Sequence, residues 1–330
     1  PMVKVNLGKL LGFNDRGDWI WPEVIVPSTD KHLPGELIPQ FNKVYVFDEM
    51  KMRRIIAGLI LRKPIMLIGP QGCGKSTLFE QVYARLRMPA VRVQCTSSMD
   101  TDYLFGWSTL SAKDGASISS FKHGVVSGTR KYHVNIMLDE VTHLNEMVSP
   151  DLNTFLEMKS DLRVSSDGFE LEGDQASNVI AATPFQDVWM SSNTGGREES
   201  SSGFSGNSTL NTATMDRCLM VDTDYLSPEL EKKVLNRIPE GKHWVDSTIQ
   251  FMNLVRNSYK NEDLSKSLST RSGLDFLEYL NLVNDVGVAL GDTILAKYEK
   301  SERQTVLDFF NTAFGMEAEV SPLLLPKFEN

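Results

Sequence analysis

The stretch that decides the fold is Pro64-Ile-Met-Leu-Ile-Gly-Pro-Gln-Gly-Cys-Gly-Lys-Ser-Thr77. This pattern predicts a buried strand, then a glycine-rich turn, then the first turn of a helix. Residues 69–76 fit G-x-x-x-x-G-K-[ST], a loop whose backbone N–H groups and helix N-terminus bind the phosphates of a nucleotide. The alternative is a chance glycine-rich turn, which the strand before the loop and the helix after it disfavour.

The residue types in this phosphate-binding loop (residues 69–77) suit specific tasks. Its glycines allow the backbone to turn N–H groups inward, some at positive φ. Lys75 is expected to reach the β- and γ-phosphates, and Ser76 to give its hydroxyl to Mg2+. The predicted nucleotide-binding residues are Gly69, Pro70, Gln71, Gly72, Cys73, Gly74, Lys75, Ser76 and Thr77. No side-chain chemistry is assigned to Gln71 or Cys73.

A second stretch, Val134-Asn-Ile-Met-Leu-Asp-Glu140, predicts an apolar strand that ends in two acids. Asp139 is expected to hold Mg2+ through its water shell. Glu140 is expected to orient and deprotonate the attacking water. Solvated acids at a strand end are the alternative interpretation, but the phosphate-binding loop upstream favours catalysis. Together the two stretches predict an ATPase with ATP and Mg2+ as cofactors.

Composition and charge bound the class of protein. The 330 residues leave room for two domains, and 41% hydrophobic with 23% charged residues is ordinary for a soluble globular chain. The net charge of −9 disfavours binding to a nucleic-acid backbone. No apolar run approaches the roughly 18 residues of a membrane span, and no signal peptide opens the chain. The three cysteines are far apart, so reduced thiols in a cytoplasmic protein are expected.

The order of predicted elements divides the chain into three parts. Residues 1–43 are predicted to form an extended N-terminal arm, 44–225 an α/β nucleotide-binding core with a parallel sheet, and 226–330 an α-helical domain. The helical domain begins at Ser227-Pro-Glu-Leu230, which combines an N-cap with a proline at the first helical position. Helical periodicity then covers residues 230–238, 245–259, 270–289 and 301–314, and no strand is expected there.

Within the core, the same patterns place the remaining elements. Helices are predicted over residues 47–61, 76–87 and 152–159, and another opening at Phe121. Further strands are predicted over residues 90–94, 177–183 and 216–221. Two β-hairpins are predicted over 109–118 and 162–171, with turns at Lys113-Asp-Gly115 and Ser165-Ser-Asp-Gly168. Residues 191–214 are dense in Gly, Ser, Thr and Asn, which predicts a mobile loop.

These features resemble the AAA+ ATPases, in particular their MoxR-like branch and, within it, the CobS-type ATPase subunit of aerobic cobaltochelatase. The resemblance implies a P-loop core with β-hairpin insertions and a C-terminal helical lid. The residues that carry it are Leu11-Gly-Phe13, Val26-Pro27, Ile56-Ala-Gly58, Gly72-Cys-Gly-Lys-Ser-Thr77, Pro89-Ala-Val-Arg-Val93, Asp139-Glu140, Asp216-Arg217 and Ser269-Thr-Arg271.

The resemblance also implies roles for three residues outside the two stretches. Arg217 is similar to the arginine finger that reaches a γ-phosphate in the adjacent subunit, although a surface arginine at a strand end is the alternative. Arg271 is similar to the lid arginine that senses the γ-phosphate in its own subunit; a solvated arginine at a helix start is the alternative. Thr183 stands at the first sensor position, where the family usually has Asn. The two hairpins are expected to face a central pore.

The predicted function is therefore a ring-forming, Mg2+-dependent ATPase, expected to be a homohexamer, that remodels a protein partner. By resemblance the partner belongs to a cobaltochelatase-like complex, or to a MoxR-type chaperone system with a von Willebrand-like metal-binding domain. Three alternatives stay open: a nucleic-acid translocase, a kinase acting on a small molecule, and a nucleotide-gated assembly scaffold. The acidic balance disfavours the first of these.

Overall fold

The computed structural model describes residues 2–15, 20–27, 37–113, 116–164, 171–172, 175–176, 179–193, 212–238, 241–321 and 323–325. The β-strands of this part of the chain are β1 (Met2–Asn6), β2 (Glu23–Pro27), β3 (Ile65–Ile68), β4 (Ala90–Gln94), β5 (Gly106–Lys113), β6 (Ala116–His123), β7 (Asn135–Asp139), β8 (Leu162–Arg163), β9 (Leu171–Glu172), β10 (Gln175–Ala176), β11 (Val179–Ile180), β12 (Val188–Ser192) and β13 (Leu219–Asp222).

The α-helices of the same residues are α1 (Leu7–Leu11), α2 (Glu49–Ile60), α3 (Lys75–Leu86), α4 (Thr101–Phe105), α5 (Val125–Lys131), α6 (Ser149–Leu156), α7 (Thr212–Arg217), α8 (Pro228–Leu235), α9 (Val245–Lys260), α10 (Thr270–Val283), α11 (Val286–Thr293) and α12 (Lys300–Phe314). Within the described ranges, none of these helices combines the length and the apolar character that spanning a bilayer requires.

Contacts divide the chain into two compact units. The first holds residues 1–43, 49–70 and 74–223, and the second holds residues 44–48, 71–73 and 224–330. The boundaries predicted at residues 43/44 and 225/226 stay predictions.

The first unit is built on a five-stranded parallel sheet with the order β13-β3-β12-β7-β4. The strand that leads into the phosphate-binding loop, β3, lies between β13 and β12. Strands β7 and β12 are buried at every position, as expected for parallel strands covered on both faces. Because all strands are parallel, their carboxyl ends meet at one edge, which is where open α/β sheets bind ligands.

The structure corrects the predicted strand over residues 177–183. The strand that lies between β3 and β7 in the sheet is Val188–Ser192. The prediction therefore placed this strand too early in the chain. Val179 and Ile180 pair instead with Arg163 and Leu162 in a separate two-stranded ladder. The physical reason is partner choice: an apolar run favours a strand without specifying which neighbour it pairs with.

The first of the two predicted hairpins, over residues 109–118, is present in the structure. Strands β5 and β6 form the first hairpin with Lys113 opposite Ala116, so the prediction is confirmed and the hairpin is longer than expected. Its turn residues, 114 and 115, lie outside the described residues. The helix predicted to open at Phe121 begins at Val125 instead, because residues 121–123 belong to β6.

The second predicted hairpin, over residues 162–171, was wrong in its pairing. Leu162 pairs with Ile180, and Leu171 pairs with Ala176. Two short ladders therefore take the place of the predicted pairing. The predicted turn residues, 165–168, lie outside the described residues.

Two further boundaries in this unit differ from the predictions. The last strand begins at Leu219, and the preceding Asp216 and Arg217 close helix α7. Of the predicted mobile loop, residues 191–192 belong to β12 and residues 212–214 to α7. Residues 194–211 of that loop lie outside the described residues.

The second unit has an aromatic and aliphatic core of its own. Phe310 lies at its centre, stacked on Phe314 with ring centroids 4.0 Å apart and edge-on to Phe251 at 5.3 Å. The helix predicted over residues 270–289 is two helices, because Asn284 adopts a left-handed conformation and Asp285 caps α11. The described residues from 224 onward contain helices and no strand, as predicted.

Candidate nucleotide-binding site

The phosphate-binding loop has the backbone that its sequence predicts. Gly72 and Gly74 have φ of 78° and 91°, a region that favours glycine. Helix α3 begins directly after Gly74, at Lys75. The loop therefore delivers a helix N-terminus at the carboxyl end of β3, and such a terminus favours anions.

Lys75 is folded back over this loop. Its Nζ donates to the carbonyl oxygens of Gly69 at 2.6 Å and Pro70 at 3.1 Å, and to Asn193 Oδ1 at 3.0 Å. The side chain is buried, which keeps the ammonium group at the loop. A cation held there by exchangeable hydrogen bonds can transfer them to phosphate oxygens.

Asp139 lies at the carboxyl end of β7, which β12 separates from β3, and is held by two hydroxyls. Ser76 Oγ donates to Asp139 Oδ2 at 2.7 Å, and Ser191 Oγ donates to Asp139 Oδ1. Arg92 Nε is 3.7 Å from Oδ2. The hydroxyl of Ser76 and the carboxylate of Asp139 are the hard oxygen ligands that Mg2+ prefers, so these residues fit the ion.

Clusters of three or more His, Cys, Asp or Glu residues with metal-binding geometry are absent from the described residues.

Glu140 follows Asp139 and has an unusual backbone. Its φ of 55° is left-handed, which is uncommon for a non-glycine residue and often marks a functional constraint. Its N–H donates to Ser191 Oγ at 2.9 Å, so one serine contacts both acids. Gln94 Nε2 donates to Glu140 Oε2 at 2.8 Å, and His143 Nδ1 is 3.3 Å from the same oxygen. The carboxylate is thus held at the sheet edge by side chains on two sides.

The sequence analysis missed Asn193, which directly follows β12. Because β12 lies beside β3, Asn193 sits next to the loop and accepts a hydrogen bond from Lys75. Thr183, which was predicted for this position, lies elsewhere: its Oγ1 accepts from the N–H of Phe185 at 3.2 Å, and its carbonyl accepts from Arg62. The role of Thr183 stays a prediction, although the strand on which it depended is not the one that pairs with β3. The family's usual Asn was the signal that could have found Asn193.

Gln94, Ser191 and His143 were also missed by the sequence analysis. Gln94 and Ser191 become recognisable only from strand order, because β4 and β12 both flank β7. His143 instead follows Glu140 by three residues in the same segment. No local sequence pattern marks a lone glutamine or serine at a strand end.

The described hydrogen bonds of Arg217 do not involve the phosphate-binding loop. Arg217 is the last residue of α7, where Nη1 donates to the carbonyl of Ala213 at 2.7 Å and Nη2 to Glu157 Oε1 at 2.9 Å. Arg271 belongs to the second unit, where it is exposed as the second residue of α10. The roles assigned to both arginines stay predictions.

Two of the three cysteines, Cys95 and Cys218, are buried and have raised thiol pKa values. Burial raises the pKa of Cys95 to about 12, and the negative charges of Asp139 and Glu140 add to the shift. Burial likewise raises the pKa of Cys218 to about 12. Both thiols therefore stay protonated and unreactive near neutral pH. Cys73, in the phosphate-binding loop, is partly exposed.

Comparisons with known proteins agree with this geometry. The family model of the AAA domain (dynein-related subfamily) matches residues 64–202. The aerobic cobaltochelatase subunit CobS of a Sinorhizobium species is 28% identical over 307 residues, which are 89% of this chain and 90% of that protein. An uncharacterized protein of Staphylococcus epidermidis is 25% identical over 259 residues, 77% of this chain and 92% of that protein.

Among solved structures, a mutant RuvB of Thermotoga maritima matches with a TM-score of 0.47 and 12% identity, and covers 83% of this chain and 84% of that chain. The family match spans the phosphate-binding loop, the acidic strand end and Asn193. The predicted fold class, a P-loop core with a parallel sheet and a helical C-terminal region, is confirmed. The chain thus contains an AAA domain over residues 64–202 and is similar to the MoxR-like AAA+ ATPases, CobS among them.

Proposed function

We propose that this ATPase binds ATP with Mg2+ at the phosphate-binding loop and works as a homo-oligomeric ring, expected to be a hexamer, that remodels a protein partner. The observation that carries the proposal is the set of contacts at one sheet edge. Two hydrogen-bonded sets meet at the carboxyl edge of the sheet. Lys75 bonds to Asn193, and Ser76 is linked to Asp139 and, through Ser191, to Glu140.

The chemistry follows from the contacts of each group. Lys75 transfers its hydrogen bonds from the loop carbonyls to phosphate oxygens. Ser76 and Asp139 hold Mg2+, which supplies positive charge against the phosphates when bound. Glu140 orients a water and accepts its proton. Gln94 keeps the Glu140 carboxylate in place until that step.

The ring is proposed because Arg217 serves a neighbouring site. The side chain is one-third exposed, so it is accessible to another subunit. A guanidinium that stabilises the transferred phosphoryl group increases the rate of hydrolysis by a large factor. A monomer would lack that group, and hydrolysis would therefore depend on assembly. Arg271 is proposed to sense the γ-phosphate within its own subunit.

The protein partner is proposed from similarity. The relative CobS is named as a subunit of aerobic cobaltochelatase, which implies a multi-subunit assembly for that protein. We propose the same kind of role here, in a cobaltochelatase-like or MoxR-type complex. A location in the cytoplasm is part of the proposal.

The test of the ring is the particle mass in solution, measured across protein concentrations with and without ATP and Mg2+. We expect ATP with Mg2+ to shift the mass from small species to one closed ring, because a bound nucleotide bridges neighbours through Arg217. The matched control is Lys75→Ala, which should stay dissociated. A strict monomer at saturating ATP and Mg2+ would contradict the ring.

The partner is sought in a separate experiment. Affinity capture with Glu140→Gln, which is expected to retain ATP, should identify the protein that the ATP-bound form holds.

A further inference from the structure

The second unit contains a buried ion pair that the proposed catalytic steps do not use. Arg256 in α9 donates from Nη2 to Glu231 Oε1 at 2.8 Å and from Nη1 to Oε2 at 2.9 Å. The Glu231 side chain is fully buried and that of Arg256 is 7% exposed. Burying two charges is expensive, and such pairs often add no net stability over apolar residues of similar size. A buried pair therefore suggests a need for fixed geometry.

The geometry that this pair fixes is the start of helix α10. Thr270 Oγ1 donates to Glu231 Oε1 at 2.6 Å. Arg256 Nε donates to the carbonyl oxygen of Leu268 at 2.8 Å. The backbone is thus tied on both sides of Ser269, the N-cap residue, which also forms a reciprocal capping box with Ser272.

The guanidinium of Arg256 has its face covered as well as its edges. It lies over the ring of Tyr225 with 4.1 Å to the centroid, a cation–π distance. Its Nε and both Nη atoms are hydrogen-bonded within the unit. A group restrained in this way has little freedom to relax, so displacement of Glu231 or Arg256 would be transmitted to Leu268 and Thr270.

We propose that Glu231, Arg256 and Thr270 are positioning residues for Arg271, the next residue in the chain. The inference rests on the proposed role of Arg271 at the γ-phosphate. Arg271 is exposed and long, so the direction of its side chain depends on the backbone that carries it. A misplacement of about 1 Å at a catalytic group can cost on the order of a hundredfold in rate. A rigid helix start removes that source of loss.

The first test removes the pair without leaving an unpaired charge. The double variant Glu231→Met with Arg256→Met should keep or raise the melting temperature, because apolar replacements of buried pairs are tolerated. We expect its kcat for ATP hydrolysis to fall about tenfold or more, with the affinity for ATP little changed. If the pair had a purely structural role, kcat would fall only when the melting temperature also falls. Wild-type kcat in a stable double variant would overturn the inference.

The second test uses one hydroxyl and a matched control. Thr270→Val removes the bond to Glu231 and should lower kcat about three- to tenfold, with a fall in melting temperature no larger than that of the control. The control is Thr248→Val, which removes a different hydroxyl of the same unit, bonded to the carbonyl of Trp244 at 2.8 Å. The control should keep the wild-type kcat. Equal losses in both variants would assign the effect to general destabilisation and overturn the inference.

A double-mutant cycle separates this inference from the proposed function. If Thr270 acts through Arg271, Thr270→Val should have no further effect on kcat in an Arg271→Ala background. Losses that multiply independently would overturn the positioning role and leave ATP hydrolysis intact. Wild-type turnover in Arg271→Ala would likewise end the positioning role. Absence of ATP hydrolysis in the unmodified chain would instead count against the proposed function.

Discussion

Arg217 forms an ion pair with Glu157 of its own chain, with 2.9 Å between Nη2 and Oε1. Its Nη1 also donates to the carbonyl of Ala213, inside the helix that Arg217 closes. A carboxylate thus occupies one edge of the guanidinium that phosphate oxygens would bind. Since the pair is partly exposed, its strength in water is modest, and a neighbouring phosphate can displace it.

The first prediction concerns Arg217→Ala. If Arg217 serves the neighbour's site, the variant should bind ATP normally and lose about a thousandfold in turnover. The measurement is steady-state hydrolysis together with equilibrium binding of ATP. Mixing Arg217→Ala with Glu140→Gln subunits creates interfaces that join an intact Glu140 to an intact Arg217, so activity should partly return once subunit exchange is shown. Normal turnover in Arg217→Ala would refute the role and make Arg163 and Arg197 the next candidates.

The second prediction concerns the partner of that ion pair. Glu157→Gln weakens the hold on Arg217 while keeping a side chain of the same shape. Because an exposed pair contributes at most about 1 kcal/mol, turnover should rise by no more than about fivefold. Hydrolysis rates at protein concentrations that saturate assembly measure this. A fall to the level of Arg217→Ala would show instead that the pair is the working conformation.

The third prediction separates Asn193 from Thr183. Asn193→Ala removes the acceptor for Lys75 and should lower turnover about tenfold or more. Thr183→Val removes a hydroxyl that serves only as an acceptor for Phe185 N–H among the described hydrogen bonds, and should leave turnover near the wild-type value. Parallel rate measurements on both variants decide between them. The reverse order of effects would restore the sequence-based assignment.

The contrast between Asn193 and Thr183 shows what the sequence could predict. The loop and the acidic strand end were predicted because each is a continuous stretch whose chemistry is local. The sensor position depends on which strand pairs with β3. The apolar residues Val179 and Ile180 suggested a core strand, whereas the true strand contains Trp189 and two serines. Pairing is decided by tertiary contacts that a local pattern does not encode.

The helical unit shows a different kind of miss. The break between α10 and α11 was marked by Asn284 and Asp285, residue types that favour a left-handed cap and an N-cap. The apolar periodicity on both sides concealed the break. The buried pair of Glu231 and Arg256 had no sequence signal, since the two residues are separated by a helix–helix connection.

The fourth prediction concerns Ser191, which contacts both Asp139 and Glu140. Ser191→Ala leaves Asp139 Oδ1 and the N–H of Glu140 without that hydroxyl, so both acids should lose their fixed orientation. We expect the Mg2+ concentration for half-maximal nucleotide binding to rise about tenfold. The control is Ser192→Ala. Ser192 is as buried as Ser191, but its side chain lies on the opposite face of the sheet. Similar Mg2+ midpoints in both variants would contradict a role for Ser191.

The most direct test of ATP hydrolysis at this sheet edge compares ATP binding and turnover in two single variants. Lys75→Ala removes the cation held at the loop, so ATP affinity should fall about 10- to 100-fold. Glu140→Gln keeps the shape and loses only the proton acceptor, so ATP should bind nearly as tightly as in the wild type while turnover falls about 100- to 10,000-fold. Equal loss of ATP binding in both variants, or wild-type turnover in Glu140→Gln, would contradict hydrolysis by this site.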